Sequence, residues 1–265
     1  MSKQYLYRVS ILNRKNSHPL EAISYYSGES QHDIVNAKNY SSNTTDNVIW
    51  NMVATPGKHS TLYTHLPEYI KFRTFKKDLM SNARNVLWRN VFTREKRDDA
   101  QFARLFEVSM PSFLTQNDAV EAVTKFSEVL VKEGMIADCS VHSRQKSLNN
   151  LSLLDKFLAK DKPQKEEAKT ETSLDYIGYL MCTLREYENG SFVNKNREWN
   201  DKKKMELWRK KWVEILANTI ENANVSSEQK KVWEEKMTIY SEYNQIKASI
   251  EEEKPQLITA KAFAM

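Results

Sequence analysis

The sequence predicts an α+β (α/β) fold, a single sheet with helices packed on it. Three observations point there. Segments whose apolar residues alternate, the strand period, are interspersed with segments whose apolar residues recur at helical spacing. Gly and Pro are scarce, at 5 and 6 of 265 residues, which leaves little room for long irregular stretches. Hydrophobic residues make up 40% of the chain and charged residues 28%, the balance of a domain able to bury a core.

In order along the chain, Gln4 to Leu12 alternate and are rich in Tyr, Val, Ile and Leu, which predicts a strand. His18-Pro19 opens a short helix, Leu20 to Tyr26, and Ser27-Gly28 ends it, with Pro just inside the start and Gly just past the end. His32 to Leu66 mixes short β-prone runs, such as Val48-Ile49-Trp50, with Asn/Ser/Thr-rich turns, and predicts one or two strands. Glu68 to Arg94 has helical spacing, with Ile70, Leu79, Val86, Leu87, Val91 and Phe92 on apolar faces. Ala103 to Met110 reads as a strand closed by Pro111. Thr115 then caps a helix with Asp118 at its third position, a capping box with Asp for Glu. Ala119, Val120, Val123, Phe126, Val129 and Leu130 form the buried face of that helix, and Gly134 ends it before a strand over Met135 to His142.

Ser143 to Thr172 is Lys/Glu-rich and reads as a surface insertion, at about 143–173. Leu174 to Arg185 is a strong strand, followed by a turn at Glu188 to Ser191. Asp201 to Asn222 is a long helix with Met205, Leu207, Trp208, Trp212, Ile215, Leu216 and Ile220 on its apolar side. Trp208 and Trp212, four residues apart, read as core. Ser226 and Gln229 form another capping box, which starts a charged helix to about Lys254. The expected organisation is a domain over 1–222 and a C-terminal helical extension with a tail over 223–265.

Composition narrows the function classes. The N-terminus lacks the apolar core of a signal peptide, and no run approaches the roughly 20 apolar residues of a membrane span. Cys139 and Cys182 match no metal or redox spacing and fit a reducing compartment. The expected location is the cytoplasm, with no membrane insertion. A formal charge of +5 permits an acidic partner such as nucleic acid without demanding one.

Several blocks, in order, resemble the MobA/MobL family of relaxases in the HUH endonuclease superfamily. Ser24-Tyr25-Tyr26-Ser27-Gly28-Glu29 stands where the family has a helix ending like A-Y-R-S-G-E. Leu87-Trp88-Arg89-Asn90-Val91 leading into Glu95-Lys96-Arg97-Asp98-Asp99-Ala100 is similar to LWN-x-V-x-x-x-E-x-R-x-D-A. The strand Ala103 to Pro111, ARLFEVSMP, resembles ARLFEVSLP, and Val131 to His142 resembles V-x-x-GM-x-AD-x-x-H. The family's NPHAHLMLTTR and K-N-R-E-W-N are matched by DYIGYLMCTLR and by Lys195-Asn196-Arg197-Glu198-Trp199-Asn200. The resemblance spans roughly residues 4 to 222, the insertion apart.

The resemblance implies an antiparallel-rich, HUH-like sheet and a protein that nicks single-stranded or hairpin DNA at the transfer origin of a plasmid or mobile element. A tyrosine hydroxyl attacks the scissile phosphate in such chemistry, and a divalent ion, Mg or Mn, polarises the phosphate oxygens. Tyr25 matches the nucleophile, with Tyr26 as the fallback. His142 matches the upstream metal ligand. The H-x-H pair, whose alternate residues aim two imidazoles at one ion, falls on Ile177 and Tyr179, and neither can replace an imidazole. With that pair lost, His142 reads rather as a hydrogen-bonded strand-end histidine, and Asp138 or Asp175 are the remaining hard-oxygen candidates.

Contact with DNA needs cations and stacking surfaces rather than fixed spacing. Basic residues from Lys71 to Arg104 and from Lys195 to Lys211 are candidates, Arg89, Lys195 and Arg197 chief among them, with Trp199, Trp88 and the two tyrosines as stacking aromatics. Interleaved Glu and Asp make solvated helix faces the alternative reading. Three functions therefore stay open: a divergent nicking relaxase; a degenerate relaxase fold that holds DNA, or a partner relaxase of the relaxosome, without cutting; and an assembly role through the charged C-terminal helix.

Overall fold

A computed structural model describes residues 7–33, 36–56, 76–145, 174–188, 191–231 and 233–235. In chain order the elements are β1 (Tyr7–Asn13), α1 (Pro19–Ser27), β2 (Gln31–Asp33), β3 (Lys38–Tyr40), β4 (Val48–Ala54), α2 (Lys76–Arg94), β5 (Gln101–Met110), α3 (Gln116–Lys132), β6 (Ala137–Gln145), β7 (Leu174–Thr183), β8 (Arg185–Glu188), β9 (Ser191–Lys195), a 3₁₀ turn (Arg197–Asn200) and α4 (Lys202–Asn222). The chain divides into a unit of residues 1–219 and a unit of residues 220–265. The candidate site lies within the first.

Five strands pair in the order β1-β5-β7-β6-β4, every neighbour antiparallel. The strand period puts alternate side chains on opposite faces. One face carries Leu105 and Met181 against Leu20 and Ile23 of α1 and Leu87, Trp88 and Val91 of α2. The other is covered by α3 and α4. There Phe106 meets Phe126 and Trp208 edge-on at 5.8 and 5.7 Å, and Phe126 meets Trp212 at 5.5 Å. Trp208 and Trp212 are core residues, as their spacing predicts. Gly178 lets α3 approach β7 closely, since a Cβ there would lie 2.5 Å from Val123 Cγ2 and 2.7 Å from Val108 Cγ2.

The predicted caps form. His18 Nδ1 accepts from the Leu20 N–H at 3.3 Å, and Pro19 is the first residue of α1. Thr115 and Asp118 make the reciprocal capping box of α3. In the second unit, Ser226 Oγ accepts from the Gln229 N–H at 3.2 Å, and Gln229 Oε1 accepts from the Ser226 N–H at 3.1 Å.

The structure departs from the sequence expectations in several places. The stretch from His32 holds three strands, β2 to β4, where one or two were expected. Strand β6 runs on to Gln145, because Ser143, Arg144 and Gln145 find partners in Tyr176, Asp175 and Leu174. The insertion is thus the connection of a β6–β7 hairpin, and residues 146–173 lie outside the described residues. Where only a turn was expected after β7, β8 and β9 pair as a second hairpin. Leu207, expected on the apolar side of α4, is exposed. Gln4 to Leu6, Ile70 and Lys71, the side chain of Leu79, and the final helix beyond residue 235 also fall outside the described residues.

Candidate functional site

The C-terminal turn of α1 is the centre of the site. A helix leaves its last carbonyls without intrahelical donors, and here four consecutive ones are met by side chains from elsewhere. Thr44 Oγ1 donates to the carbonyl of Tyr25. His142 Nε2 donates to that of Tyr26 at 2.7 Å, Asn51 Nδ2 to that of Ser27 at 2.9 Å, and Thr45 Oγ1 to that of Gly28 at 3.0 Å. Gly28 ends the helix at φ 71°, the left-handed conformation only glycine takes cheaply. A Cβ there would lie 2.8 Å from Val48 Cγ2.

The side chains expected to converge do so. His142 lies directly across from Ile177, and Ser140 from Tyr179, in the β6–β7 register. His142, Ile177 and Tyr179 therefore share the α1 face of the sheet. The rings form a cluster: His142 meets Tyr179 at 4.7 Å, Tyr179 meets Tyr26 at 5.0 Å, Tyr26 meets Tyr25 at 5.2 Å, and Tyr25 meets His142 at 6.2 Å. Tyr25 is 44% exposed. Tyr26 is half-buried, and burial raises its phenol well above the ordinary range, with Glu107 adding to the shift. That disfavours the phenolate a fallback nucleophile needs. Burial lowers the pKa of His142, which keeps its imidazole neutral at pH 7.

Beneath this cluster lies a charged hub that sequence reasoning missed. Arg84 is 0% exposed. Its Nε donates to Asp138 Oδ1 at 2.9 Å, its Nη2 to Asn51 Oδ1 at 3.1 Å, and its Nη1 makes an ion pair with Glu29 Oε2 at 2.8 Å. Trp88 Nε1 donates to Asp138 Oδ2 at 3.1 Å. The guanidinium thus ties α2 to β6, to β4 and to the residue after Gly28. A signal was present: Arg84, Leu87, Trp88 and Val91 follow the i, i+3, i+4, i+7 spacing of one helix face, so Arg84 sits in the buried stripe of α2. Thr44, Thr45 and Asn51 carried no comparable signal.

The family's metal does not fit these residues. Ile177 and Tyr179 offer no imidazole, which leaves His142 as the single imidazole of the three positions, with Nε2 held by a backbone carbonyl and Nδ1 left to bind. Asp138 is no free oxygen donor either, since its carboxylate is held by Arg84 and Trp88. The side chain of Asp175 lies outside the described residues. Among the described residues, no group of three or more His, Cys, Asp or Glu is placed to hold an ion.

The residues expected to contact DNA do not gather around Tyr25. Lys195 Nζ bonds the carbonyl of Gln101 and pairs with Glu95 Oε2 at 2.7 Å. Gln101 starts β5, whereas Tyr179 pairs with Glu107 six residues further along. At the strand rise that is roughly 20 Å away. Arg197 is exposed in the 3₁₀ turn two residues beyond Lys195. Arg89 is half-buried on α2, midway between Arg84 and Arg94, whose Nη1 donates to the carbonyl of Phe192 at 2.9 Å. Trp199 is 1% exposed and Trp88 0%, so both stacking assignments are corrected: these rings are buried side chains. Lone aromatics among charges mark a buried anchor as readily as a surface platform.

No described helix is long and apolar enough to cross a membrane. A comparison with curated proteins finds no match. Among solved structures, the chain is similar to one described as "Molecular Basis of Vancomycin Resistance Transfer in Staphylococcus aureus", with 20% identity and a TM-score of 0.58, covering 84% of this chain and 96% of that one. At that identity the likeness is one of fold. The model of the MobA/MobL family matches residues 19–238, the greater part of the sequence, and includes the clamped turn, the hub and the strands that carry His142, Ile177 and Tyr179. This chain belongs to the MobA/MobL family.

Proposed function

We propose that this chain is a relaxase-fold protein of a plasmid or mobile element that holds single-stranded or hairpin DNA without the three-imidazole metal chemistry of nicking. The observation that carries the reading is the pair Ile177 and Tyr179. They stand at the strand positions where the H-x-H pair is expected, and the ring of Tyr179 closes on His142 at 4.7 Å. Family membership supports DNA as the partner. The formal charge of +5 suits contacts to phosphate, which ask only for cations and donors. Relaxosome proteins are the second partner class of this reading, and the cytoplasm is its compartment.

A second reading, nicking through Tyr25, is favoured by one observation: the Tyr25 ring is 44% exposed at the clamped end of α1. In that reaction the phenol oxygen bonds to phosphorus, the 3′-hydroxyl leaves, and a 5′-phosphotyrosine remains. One assay separates the two. The full chain is incubated at low salt with labelled single-stranded DNA in EDTA, magnesium or manganese. The expected result is binding in all three and a covalent adduct in none. An adduct that disappears in Tyr25→Phe would replace this proposal with the nicking reading.

A further inference from the structure

We infer that Tyr25 is a stacking platform for one unpaired base of single-stranded DNA, an assignment that rests on the DNA-holding function proposed above. Among the described residues only two large hydrophobic side chains are exposed, Tyr25 and Leu207. Leu207 stands alone on α4. Tyr25 is held on every side that the fold can reach. Its carbonyl is bonded by Thr44, and the next three carbonyls by His142, Asn51 and Thr45. Its ring leans edge-on against Tyr26 at an interplanar angle of 88°, and Tyr26 in turn rests on Tyr179. The fold therefore fixes both the backbone and the ring of an aromatic residue that remains nearly half in solvent.

An aromatic ring immobilised before binding loses little further entropy when a flat partner covers it. Nucleobases are such partners, and stacking on an exposed ring tolerates any base because every base presents a π-face. Tyr179 contributes indirectly. In the place of a metal-ligating imidazole it adds a third phenol ring behind Tyr26 and His142, so the replacement that removes a ligand also stiffens the platform.

The test uses the full chain and a single-stranded oligonucleotide of mixed sequence in which thymidines are replaced by 5-iododeoxyuridine. Irradiation expels iodide and hydrogen as hydrogen iodide and joins uracil C5 to a ring stacked upon it. Mass spectrometry then places the cross-link. The expected result is a cross-linked peptide bearing Tyr25, with affinity about tenfold weaker or more in Tyr25→Ala and restored in Tyr25→Phe, which keeps the ring. Affinity within twofold of wild type in Tyr25→Ala, with the cross-link elsewhere, overturns the platform and leaves the DNA-holding function standing. Equal weakening in Tyr25→Phe and Tyr25→Ala also overturns it, since the hydroxyl would then be the group that matters. No binding by the wild-type chain at low salt removes the proposed function itself, and the platform with it.

Discussion

His142 Nε2 lies 2.7 Å from the carbonyl oxygen of Tyr26, and this bond joins the middle of the sheet to the last turn of α1. A carbonyl only accepts, so Nε2 carries the proton and Nδ1 keeps the lone pair. The residue at the position of the family's upstream metal ligand is, in this chain, a donor to the end of a helix. Three consequences follow for how the site can be probed: through the bond, through its proton and through the groups around it.

Replacing His142 with Ala leaves the Tyr26 carbonyl without its donor. An orphaned buried acceptor costs about 1–3 kcal/mol, and urea denaturation of the variant measures that loss. Because the bond is to protein rather than to an ion, the wild-type midpoint is expected to be the same in EDTA and in millimolar manganese. A midpoint that falls on chelation would show an ion bound to the folded state.

The proton on His142 sets a pH dependence. Burial lowers its folded pKa below the ordinary value of 6.5, and His18 shifts the same way, desolvation again outweighing Asp33. The unfolded chain then binds more protons than the folded one below about pH 7. Stability is fully present above 6.5, declines as pH falls through that value, and levels off below the folded pKa values. Urea midpoints between pH 7.5 and 5 are expected to decrease, with a shallower slope in His142→Asn. A flat profile over that window would mean that both histidines protonate as easily folded as unfolded.

Arg84 tests how far the hub supports the turn. Arg84→Met leaves the Asp138 carboxylate at 2% exposure with only the Trp88 N–H, and it releases Glu29 beside Gly28. Removing one partner of a buried ion pair costs about 3–5 kcal/mol. The double variant Arg84→Met, Asp138→Leu removes the stranded charge as well and is expected to recover part of that loss. Additive losses in the two single variants would show that the pair is not coupled.

Gly28 separates two costs that one substitution combines. In Gly28→Ala the left-handed backbone costs about 1–2 kcal/mol for a residue with a Cβ. The new methyl also meets Val48, 2.8 Å from Cγ2 and 3.0 Å from Cβ, and overpacking of that kind costs a further ~1–3 kcal/mol. A Val48→Ala background removes the Cγ2 contact and keeps the Cβ, so part of the overpacking cost should be recovered while the backbone cost remains. Thermal or urea unfolding of the four proteins gives the cycle, and full recovery in the double variant would rule out the backbone contribution.

The parts of this structure legible in the sequence are those set by neighbours in the chain. Pro19, Gly28, Thr115 with Asp118, and Ser226 with Gln229 mark helix ends through contacts a few residues long, and each forms as read. The alignment that placed Tyr25, His142, Ile177 and Tyr179 together is matched by the β6–β7 register and the ring contacts. What was not legible depends on long-range partners. The role of Arg84 needs carboxylates that lie 55 residues before it and 54 after it, at Glu29 and Asp138. Lys195 and Arg197 looked like companions of Tyr25 because both belong to basic, aromatic-bearing segments. Charge composition carries no information about which end of a strand a segment returns to, and Lys195 is held by Glu95 and the carbonyl of Gln101, at the start of β5.

Restoring the two lost imidazoles is the sharpest test of the site. His142 and Ile177 face each other across adjacent strands, and Tyr179 follows two residues on, so all three point to one side of the sheet. In the double variant Ile177→His, Tyr179→His, three imidazoles would share that face, and the ring of Tyr179 would no longer cover His142. His142 would offer Nδ1, because Nε2 remains on the Tyr26 carbonyl, and that fixed tautomer is the usual second-shell arrangement for a ligating histidine. Titration calorimetry with manganese or zinc is expected to show one-site binding in the double variant and none at the same concentrations in wild type. Binding by wild type would mean that donors other than these three positions form a metal site. Failure of the folded double variant to bind would mean that the β6–β7 register or the orientation of His142 differs from the one described. Where binding is restored, the adduct assay with single-stranded DNA becomes decisive for Tyr25. An adduct in the double variant alone would show that the replacement of two ligands separates this chain from nicking.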